Sequence, residues 1–346
     1  MAWSPLLEQG SVVTVGEYDG IHRGHRTVIA EMHRMAAERG CATAVVTFDR
    51  HPATVVRPDS APLLLCDLET KLELLAETGV DYTLVVEFTP EQAAVPAETF
   101  ARHVLVDCLE AKVIVVGADF HFGKGRRGNV ETLRSVGHEF GYEVIGLPLV
   151  KQLTGEGEVI SSTSIRSALA EGDVEKAHRL LGRPFEVRGI VTPGDRRGRT
   201  IGFPTANLPT TPDLQVPCDG VYAAWYQRPD GTQYPAAVNV GKRPTFYDFA
   251  ERSLIEAHLI GFRGDLYGEQ AKVRFVRRLR GERRFEDIEE LAAQLGRDVA
   301  DAAKCLSEWS STRSRPALSK NFAVRMPVGA KFSRRPPSRN IHHSAA

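Results

Sequence analysis

Short apolar runs and helical patterns alternate through residues 11–147, and this alternation constrains the fold more than any other feature. The runs are rich in β-branched or aromatic residues and are too short for buried helices, so we expect strands there. Strands separated by helices indicate a doubly wound parallel α/β sheet. The predicted strands are 11–16, 42–48, 82–86, 113–117 and 143–147. The predicted helices are 25–39, 68–78, 97–108 and 130–140.

The pattern changes after Gly182-Arg183-Pro184, where strands follow one another without helices between them. Gly- and Pro-rich turns separate these strands, which predicts an antiparallel β-barrel or sandwich. A closing amphipathic helix is expected because apolar residues recur at spacings of three and four over 285–299. The predicted strands are 185–191, 221–226, 236–240, 254–260 and 271–276. We therefore expect one domain over 1–184 and a second over 185–306.

The last part of the chain, 307–346, is predicted to be a disordered basic tail. From Ser310 onward there are eight Lys or Arg and no Asp or Glu, which leaves 36 basic against 44 acidic residues elsewhere. An acidic body is a poor candidate for binding nucleic acid. The tail is expected to be solvated and dispensable, with attachment to an anionic partner as the other interpretation.

Several broad classes of protein are disfavoured because the chain lacks their sequence features. No apolar run approaches the roughly 20 residues of a membrane span, and the start does not resemble a secretory signal. The five cysteines form no Cys-x-x-Cys pair, so neither a structural zinc site nor a disulfide framework is indicated. We expect a cytoplasmic protein without a membrane partner; its oligomeric state is not predicted.

A glycine-containing loop at the first strand–helix junction predicts an anion site. Gly16 ends the strand and Gly24-His25 opens the helix, so backbone N–H groups and the helix N-terminus can face a phosphate. His22 and His25 are three residues apart, so both rings can face one ligand and donate hydrogen bonds as charge builds in a transition state. The spacing also suits a metal, but no nearby Cys or further His completes a ligand set.

This run, 16–25, resembles the first motif of the bacterial FAD synthetases, which are relatives of the His-x-x-His nucleotidyltransferases. Tyr18 stands where the family commonly has Phe. The resemblance implies that His22 and His25 are catalytic. It also implies that the other motif residues contact the nucleotide: Gly16, Asp19, Gly20 and Gly24.

Three further motifs follow in the family's order. Residues 46–52 resemble Thr-Phe-Asp-Pro-His-Pro with Arg50 in place of proline, and 117–123 resemble the flavin- and nucleotide-facing loop Gly-x-Asn/Asp-Phe-x-Phe-Gly. Residues 160–166 resemble Ile-Ser-Ser-Thr-x-x-Arg, which holds ATP phosphates, with Val159 where a basic residue often precedes. Helix-start hydroxyls and an Arg one turn later suit an anion, although an ordinary Ser/Thr N-cap has the same pattern. The implied site residues are His51, Asp119, Phe120, Ser162 and Thr163 for binding, and Arg166 for catalysis.

A second glycine- and arginine-rich segment, 194–208, lies early in the β-rich half. Such a segment can wrap a polyphosphate, although a solvated turn has the same composition. Thr205 and Asn207 supply neutral oxygens two residues apart, which suits a hard cation such as Mg²⁺. The run 202–207, Gly-Phe-Pro-Thr-Ala-Asn, resembles the signature of riboflavin kinases, in which the Thr and Asn contact metal and phosphates.

Later segments continue the resemblance to riboflavin kinases. Residues 219–223 resemble the Gly-Val-Tyr-Ala strand, and 239–246 resemble Asn-Ile-Gly-Thr-Arg/Asn-Pro-Thr with Lys242 in place of Thr. Glu256, nine residues before Asp265-Leu266-Tyr267-Gly268, matches the catalytic Glu that acts on the ribityl hydroxyl, whereas its strand pattern alone indicates an outward Glu. The implied binding residues are Gly194, Gly198, Arg199, Gly202 and Tyr222.

The resemblance covers about residues 11–305, and its order is that of the bacterial bifunctional riboflavin kinases/FAD synthetases. It implies a Rossmann-like nucleotidyltransferase domain followed by a riboflavin kinase-like barrel. The implied reactions convert riboflavin to FMN with ATP and Mg²⁺, then FMN to FAD with a second ATP. One alternative is another nucleotidyltransferase with an unrelated β domain, against which residues 202–207 argue. The other is a non-catalytic or single-activity flavin- or nucleotide-binding relative, which Arg50, Val159 and Lys242 keep open.

Overall fold

The computed structural model describes Leu7 and residues 9–148, 159–194, 197–243, 252–310 and 322–326. The chain forms two compact units: 1–62 with 67–160 and 317–346, and 63–66 with 161–316. The division by contacts falls at Ser161, whereas the sequence places the first domain's end at 184. The two helices between these positions are counted with the barrel, and the domain limits stay a prediction.

A parallel sheet of six strands forms the first unit, in the order β14-β3-β2-β1-β4-β7. The predicted doubly wound sheet is confirmed, and all five predicted strands are present. The strand bounds are β1 Ser11–Val15, β2 Ala42–Phe48, β3 Tyr82–Val86, β4 Ala111–Gly117, the short hairpin β5 His121–Phe122 and β6 Gly128–Asn129, β7 Glu143–Leu147 and β14 Phe322–Met326. The helix bounds are α1 Arg23–Arg39, α2 Ala53–Val56, α3 Leu68–Ala76, α4 Pro90–Ala93, α5 Ala97–Phe100 and α6 Val130–Phe140, with 3₁₀ turns at Pro58–Ser60 and Lys124–Arg126.

Both faces of this sheet are covered, because successive side chains of a strand point to opposite faces. Val12, Val45 and Val113 pack with α1 on one face. Val13, Val46 and Ile114 pack on the other face with α6 and the segment 97–108, where α5 continues as a π-helix over Ala101–Cys108. Strand order reverses between β1 and β4, so the carboxyl ends of these two strands border the crevice in which such sheets bind ligands.

An antiparallel sheet of six strands forms the second unit, in the order β8-β13-β10-β11-β12-β9. Thr192 of the chain after β8 bridges to Asn207 of β9, so the two edges meet and the sheet is a nearly closed barrel. The predicted barrel is thus confirmed. The strand bounds are β8 Phe185–Ile190, β9 Ala206–Pro209, β10 Gly220–Gln227, β11 Gln233–Arg243, β12 Arg252–Leu259 and β13 Gln270–Arg280. Its helices are α7 Ser162–Glu171, α8 Val174–Leu181, α9 Arg197–Thr200 and α10 Ile288–Ser310.

Large side chains fill the barrel interior, and α10 covers part of the outer face. Tyr222, Tyr226 and Phe275 are fully buried inside. On the outer face, Ala302 and Leu306 of α10 pack with Ala223. The helix begins later than the apolar spacing predicts, because Asp287 Oδ1 accepts the Glu290 N–H at 2.7 Å and Phe285 instead lies beside the guanidinium groups of Arg280 and Arg283.

Part of the predicted disordered tail is ordered. α10 extends to Ser310, and β14 pairs in parallel with β3, with Phe322 opposite Tyr82 and Met326 opposite Val86. The remaining tail residues lie outside the described residues, so their predicted disorder stays a prediction.

Candidate active sites

The loop between β1 and α1 is held in an unusual backbone conformation. Tyr18 and Ile21 both have positive φ, at 50° and 39°, which few non-glycine residues adopt. Tyr18 is buried, and its hydroxyl donates a 2.8 Å hydrogen bond to Thr14 Oγ1. Burial raises the pKa of this hydroxyl, so it stays a neutral donor. The buried ring therefore anchors the loop that carries the predicted residues Gly16, Asp19 and Gly20.

His22 and His25 lie together at the start of α1. His22 is the N-cap residue, and its Nδ1 accepts the His25 N–H at 3.3 Å. This bond places the proton of a neutral His22 ring on Nε2. The two rings stack, with centroids 3.6 Å apart and an angle of 16° between their planes. The centroid of the Tyr18 ring lies 4.6 Å from that of His25. The structure thus brings the two predicted catalytic histidines to the carboxyl end of β1, at a helix N-terminus.

His51 lies after β2 at the same edge of the sheet. Its Nδ1 accepts the Ala53 N–H at 3.0 Å, so Nε2 carries the proton and faces Glu17 Oε2 at 2.6 Å. Glu17, which the sequence does not single out, therefore holds the ring of a predicted binding residue. The neighbouring Arg50 pairs with Asp49 at 2.8 Å, so the residue that departs from the family pattern forms an exposed ion pair beside the motif.

Lys71 of α3 is a second residue at this edge that the sequence does not single out. Its side chain is buried, and Nζ donates a 3.0 Å hydrogen bond to the carbonyl of Phe48, the last residue of β2. A buried ammonium group needs hydrogen-bond acceptors. Lys71 thus fixes the end of β2, from which the segment carrying His51 departs.

The predicted flavin-facing loop follows β4, next to β1 in the sheet. Phe120 and Phe122 stack with centroids 5.3 Å apart, and Phe122 is buried. Asp119 is exposed, and its carbonyl lies 2.8 Å from His121 Nδ1. Asp119 and Phe120 therefore lie at the same carboxyl edge as His25 and His51.

The predicted phosphate residues Ser162, Thr163 and Arg166 lie in the second unit, on the first turns of α7. Ser161 is the N-cap, and its Oγ accepts the Ser164 N–H at 3.1 Å. Capping is thus performed by Ser161, and Ser162 and Thr163 are the first two helical residues. Arg166 Nε donates to the Leu63 carbonyl at 2.6 Å.

Three polar residues align across neighbouring strands of the barrel. In the ladder, Glu256 of β12 is opposite both Asn207 of β9 and Asn239 of β11. Their sequence neighbours, including Ala206, Ile255 and Val238, are buried in the interior, so these three point to the other face. The structure thus places the predicted catalytic carboxylate beside the predicted metal-binding amide, although 49 positions separate them in the sequence.

Asn207 has an acceptor available for a ligand. The residue is 6% exposed, and its Oδ1 has no hydrogen-bond partner among the residues that the structure describes. Its Nδ2 points to the Thr205 carbonyl at 3.4 Å. Gly194 lies directly over this amide, because a Cβ there would meet Nδ2 at 2.5 Å. A buried carbonyl oxygen without a donor fits a hard cation.

Glu256 is the carboxylate that lies beside Asn207 in the ladder. No group of three or more His, Cys, Asp or Glu among the described residues could hold a metal ion. The predicted donors at this position are the neutral oxygens of Thr205 and Asn207, to which the phosphates of a ligand would add. This donor set fits a metal that arrives with a nucleotide.

The other predicted contacts of the barrel are partly brought to this site. Gly198 and Arg199 lie on the single-turn helix α9, and Gly202 follows with a φ of 88°. The turn is closed by the Phe203 N–H, which donates to the Gly198 carbonyl at 2.8 Å. Residues 195 and 196 and the segment 244–251 lie outside the described residues.

Tyr222, a predicted binding residue, lies in the interior of the barrel. Its ring is fully buried, and its hydroxyl donates to the Cys218 carbonyl at 2.5 Å. Side chains alternate along β10, and Tyr222 points inward whereas Ala223 points to the face covered by α10. The aromatic residue is therefore part of the core and points to the face opposite that of Asn207, Glu256 and Asn239.

His258 is a further residue that the sequence does not single out. It follows Glu256 by two positions on β12, and its Nδ1 lies 2.8 Å from the Pro204 carbonyl. Its ring meets Phe203 edge to face at 5.5 Å. The spacing Glu-x-His on a strand is the only sequence signal for it, since alternate residues share a face.

Two family models match the chain. The model described as FAD synthetase matches residues 5–164, and the model described as riboflavin kinase matches residues 181–306. The chain is 40% identical to a bifunctional riboflavin kinase/FMN adenylyltransferase of Escherichia coli strain K12, over 86% of this chain and 94% of that protein. It is 37% identical to the protein of the same description from Bacillus subtilis strain 168, over 86% and 93%.

A solved structure is also similar along most of the chain. It is described as a macrolide-efflux protein from Streptococcus pneumoniae, with a TM-score of 0.74 and 31% identity, covering 91% of this chain and 100% of that one. Across the part of this chain that the structure describes, no helix is long and apolar enough to cross a membrane.

Proposed function

Because the chain belongs to the family of bifunctional riboflavin kinases/FMN adenylyltransferases, it phosphorylates riboflavin and adenylylates FMN, and we propose which residues carry out each reaction. Membership in this family removes the alternative of a nucleotidyltransferase with an unrelated β domain, since the riboflavin kinase model matches 181–306. The substrates are ATP, riboflavin and FMN, with a divalent metal as is general for these enzymes.

In the barrel, we propose that Glu256 orients and deprotonates the 5′-hydroxyl of riboflavin, which attacks the γ-phosphate of ATP. The observation that carries this proposal is the alignment of Glu256 with Asn207 and Asn239 on one face. The carboxylate is the only ionisable member of this row, and it lies beside the amide proposed to hold the phosphate-bound cation. An attacking hydroxyl between them would be close to both its base and the phosphoryl group.

We propose that the cation is Mg²⁺ and that Thr205 and Asn207 hold it. The buried Oδ1 of Asn207, which lacks a hydrogen-bond donor within the described ranges, supports this role. When bound, Mg²⁺ neutralises charge on the ATP phosphates. Gly194, Gly198, Arg199 and Gly202 would surround the phosphates with backbone N–H groups and a fixed positive charge.

In the parallel-sheet unit, we propose that the FMN phosphate attacks the α-phosphate of ATP and releases pyrophosphate. His22 and His25 would donate hydrogen bonds to the crowded phosphate oxygens in the transition state. Their stacked rings at the start of α1 support this role, since both can serve one ligand at the positive end of the helix. Gly16, Asp19, Gly20, Gly24 and His51 would line the nucleotide, and Asp119 and Phe120 the flavin.

Binding of the β- and γ-phosphates by Ser162 and Thr163, with catalytic assistance from Arg166, is proposed from the motif alone. Its support is the position of the hydroxyls in the first turn of α7 and of Arg166 one turn later. We further propose that the protein acts in the cytoplasm and needs neither nucleic acid nor a membrane.

The test supplies purified protein with riboflavin, ATP and Mg²⁺ and separates FMN and FAD by chromatography. Glu256→Gln is expected to lower FMN formation about 10²- to 10⁴-fold while sparing FAD formation from supplied FMN. The exposed Glu289→Gln on α10 is the matched control and should leave both activities unchanged. Retained kinase turnover in Glu256→Gln would remove Glu256 from its role.

The reciprocal variant is His25→Ala, with exposed His138→Ala on α6 as its control. FAD formation from FMN is expected to fall about 10²- to 10³-fold, while FMN formation from riboflavin continues. If both activities fell together in a protein that still unfolds cooperatively, the assignment of separate residues to the two reactions would be wrong.

A further inference from the structure

We propose that His258 is a positioning residue of the kinase barrel: it holds the turn before Thr205 and thereby sets the affinity for the metal–ATP complex. The inference rests on the proposed function of Thr205 and Asn207 in holding the cation.

The hydrogen bond of His258 has a defined direction. The Pro204 carbonyl can only accept, so Nδ1, 2.8 Å away, carries the proton and donates. This contact joins β12 to a residue 54 positions earlier in the sequence. It is made from the same strand face that carries Glu256, two residues before.

The ring also fixes the residue before Pro204. Phe203 meets the imidazole edge to face, with centroids 5.5 Å apart and planes 64° apart, a favourable aromatic geometry. The Phe203 N–H is in turn bonded to the Gly198 carbonyl at 2.8 Å. His258 therefore contacts two successive residues, Phe203 and Pro204, immediately before the proposed metal ligand.

Thr205 lies between two anchored points. On its far side, β9 begins at Ala206, and the Asn207 carbonyl accepts the Thr192 N–H at 2.9 Å. Thr205 itself precedes the strand, so its position is set by the Asn207 anchor and by the hold of His258 on Pro204. Without the hydrogen bond from His258 to Pro204, the Thr205 hydroxyl could move while Asn207 and Glu256 stayed in the strand ladder.

Two substitutions separate the hydrogen bond from the bulk of the side chain. The amide nitrogen of Asn occupies roughly the place of Nδ1, whereas that of Gln reaches the place of Nε2. His258→Asn is expected to keep the bond to Pro204 and to retain a KM for ATP close to that of the parent protein. His258→Gln is expected to raise the KM for ATP and the Mg²⁺ concentration for half-maximal FMN formation roughly tenfold, with a smaller change in kcat.

FMN adenylylation by the same protein is the internal control and should be unchanged in both variants. Equal impairment of His258→Asn and His258→Gln would overturn the proposal, because the Nδ1 bond would then not be the feature that matters. Parent-like kinetics in His258→Gln would overturn it as well.

Thr205→Ala distinguishes failure of this inference from failure of the proposed function. If Thr205→Ala leaves the KM for ATP unchanged, Thr205 does not hold the cation, and His258 cannot act through it. If Thr205→Ala raises this KM and His258→Gln does not, only the role of His258 fails. A protein that carries both Thr205→Ala and His258→Gln should have the same KM for ATP as Thr205→Ala alone, because both substitutions act through the Thr205 hydroxyl. If the two increases in KM multiplied, the proposal would be contradicted.

Discussion

At the residue scale, the glycine between the two site histidines has a steric reason. A Cβ on Gly24 would lie 3.1 Å from both Cε1 and Nδ1 of His22. The missing side chain therefore lets the His22 ring lie over the first turn of α1, where it caps the helix and stacks on His25. Substitution at this position would displace the ring that is proposed to donate to the transferring phosphate.

Glu17 supplies a prediction at the same scale. Its carboxylate accepts a hydrogen bond from His51 Nε2, and a charged acceptor strengthens such a bond. Glu17→Gln keeps the shape but removes the charge, so we expect FMN adenylylation to weaken roughly tenfold, mainly in KM. The measurement is steady-state FAD formation at varied FMN and ATP, with exposed Glu139→Gln as control. Unaltered kinetics would show that His51 keeps its place without this charge.

At the element scale, one carboxylate joins two neighbouring barrel strands. Glu186 of β8 accepts hydrogen bonds from Arg188 Nε at 2.8 Å and from Arg274 Nε of β13 at 2.6 Å. Burial alone would raise the pKa of Glu186, but Arg274 and Arg188 outweigh it, so the pKa lies below its ordinary value. The hydrogen bonds of Glu186 with Arg188 and Arg274 stabilise the edge of the barrel that carries β8.

Acid should therefore destabilise the barrel in a way that Glu186→Gln removes. Since the folded pKa is lowered, the stabilisation is complete above the unfolded pKa near 4.3 and is lost as pH falls through the folded value. Near pH 7 we expect the variant to lose about 3 kcal/mol, because two arginines lose their partner. Denaturant unfolding from pH 7 to pH 3 is the measurement; equal acid sensitivity of parent and variant would contradict the prediction.

The edge strand β14 leads to a second prediction at this scale. It pairs with β3, whose outer backbone groups would otherwise form an open edge. Deletion of 311–346 should leave both activities near the parent level, because the tail lies outside the matched regions 5–164 and 181–306. It should also speed amide hydrogen exchange at alternate residues of Tyr82–Val86, those that face β14. Unchanged exchange there would show that β14 does not protect the edge in solution.

At the scale of the whole molecule, the two sets of proposed residues belong to different reactions joined by FMN. A mixture of Glu256→Gln and His25→Ala proteins should therefore convert riboflavin to FAD, because the second protein makes FMN and the first adenylylates it. Neither variant alone should do so at the parent rate. Chromatography of timed samples provides the measurement. A mixture that accumulates FMN without FAD would show that FMN released by one chain is not used by another.

Local patterns in the sequence determined much of this molecule. Apolar periodicity placed all five strands of the predicted parallel sheet and five of the six barrel strands, since side-chain spacing reflects the nearest neighbours along the chain. It missed the short hairpin of β5 and β6, β9, which has only four residues and ends at Pro209, and β14, inside a segment of tail composition. The glycine and histidine motifs also identified the loop around His25, because the residues that build it are consecutive in the chain.

Strand register decided what the sequence left open. The alignment of Asn207, Glu256 and Asn239, the contact of His258 with Pro204 and the inward position of Tyr222 all depend on how distant strands pair. A shift of one residue would turn each of these side chains to the opposite face. The sequence by itself determined which elements form and which residues have suitable chemistry. Only the tertiary structure decided which of them meet, because register arises from packing between segments far apart in the chain.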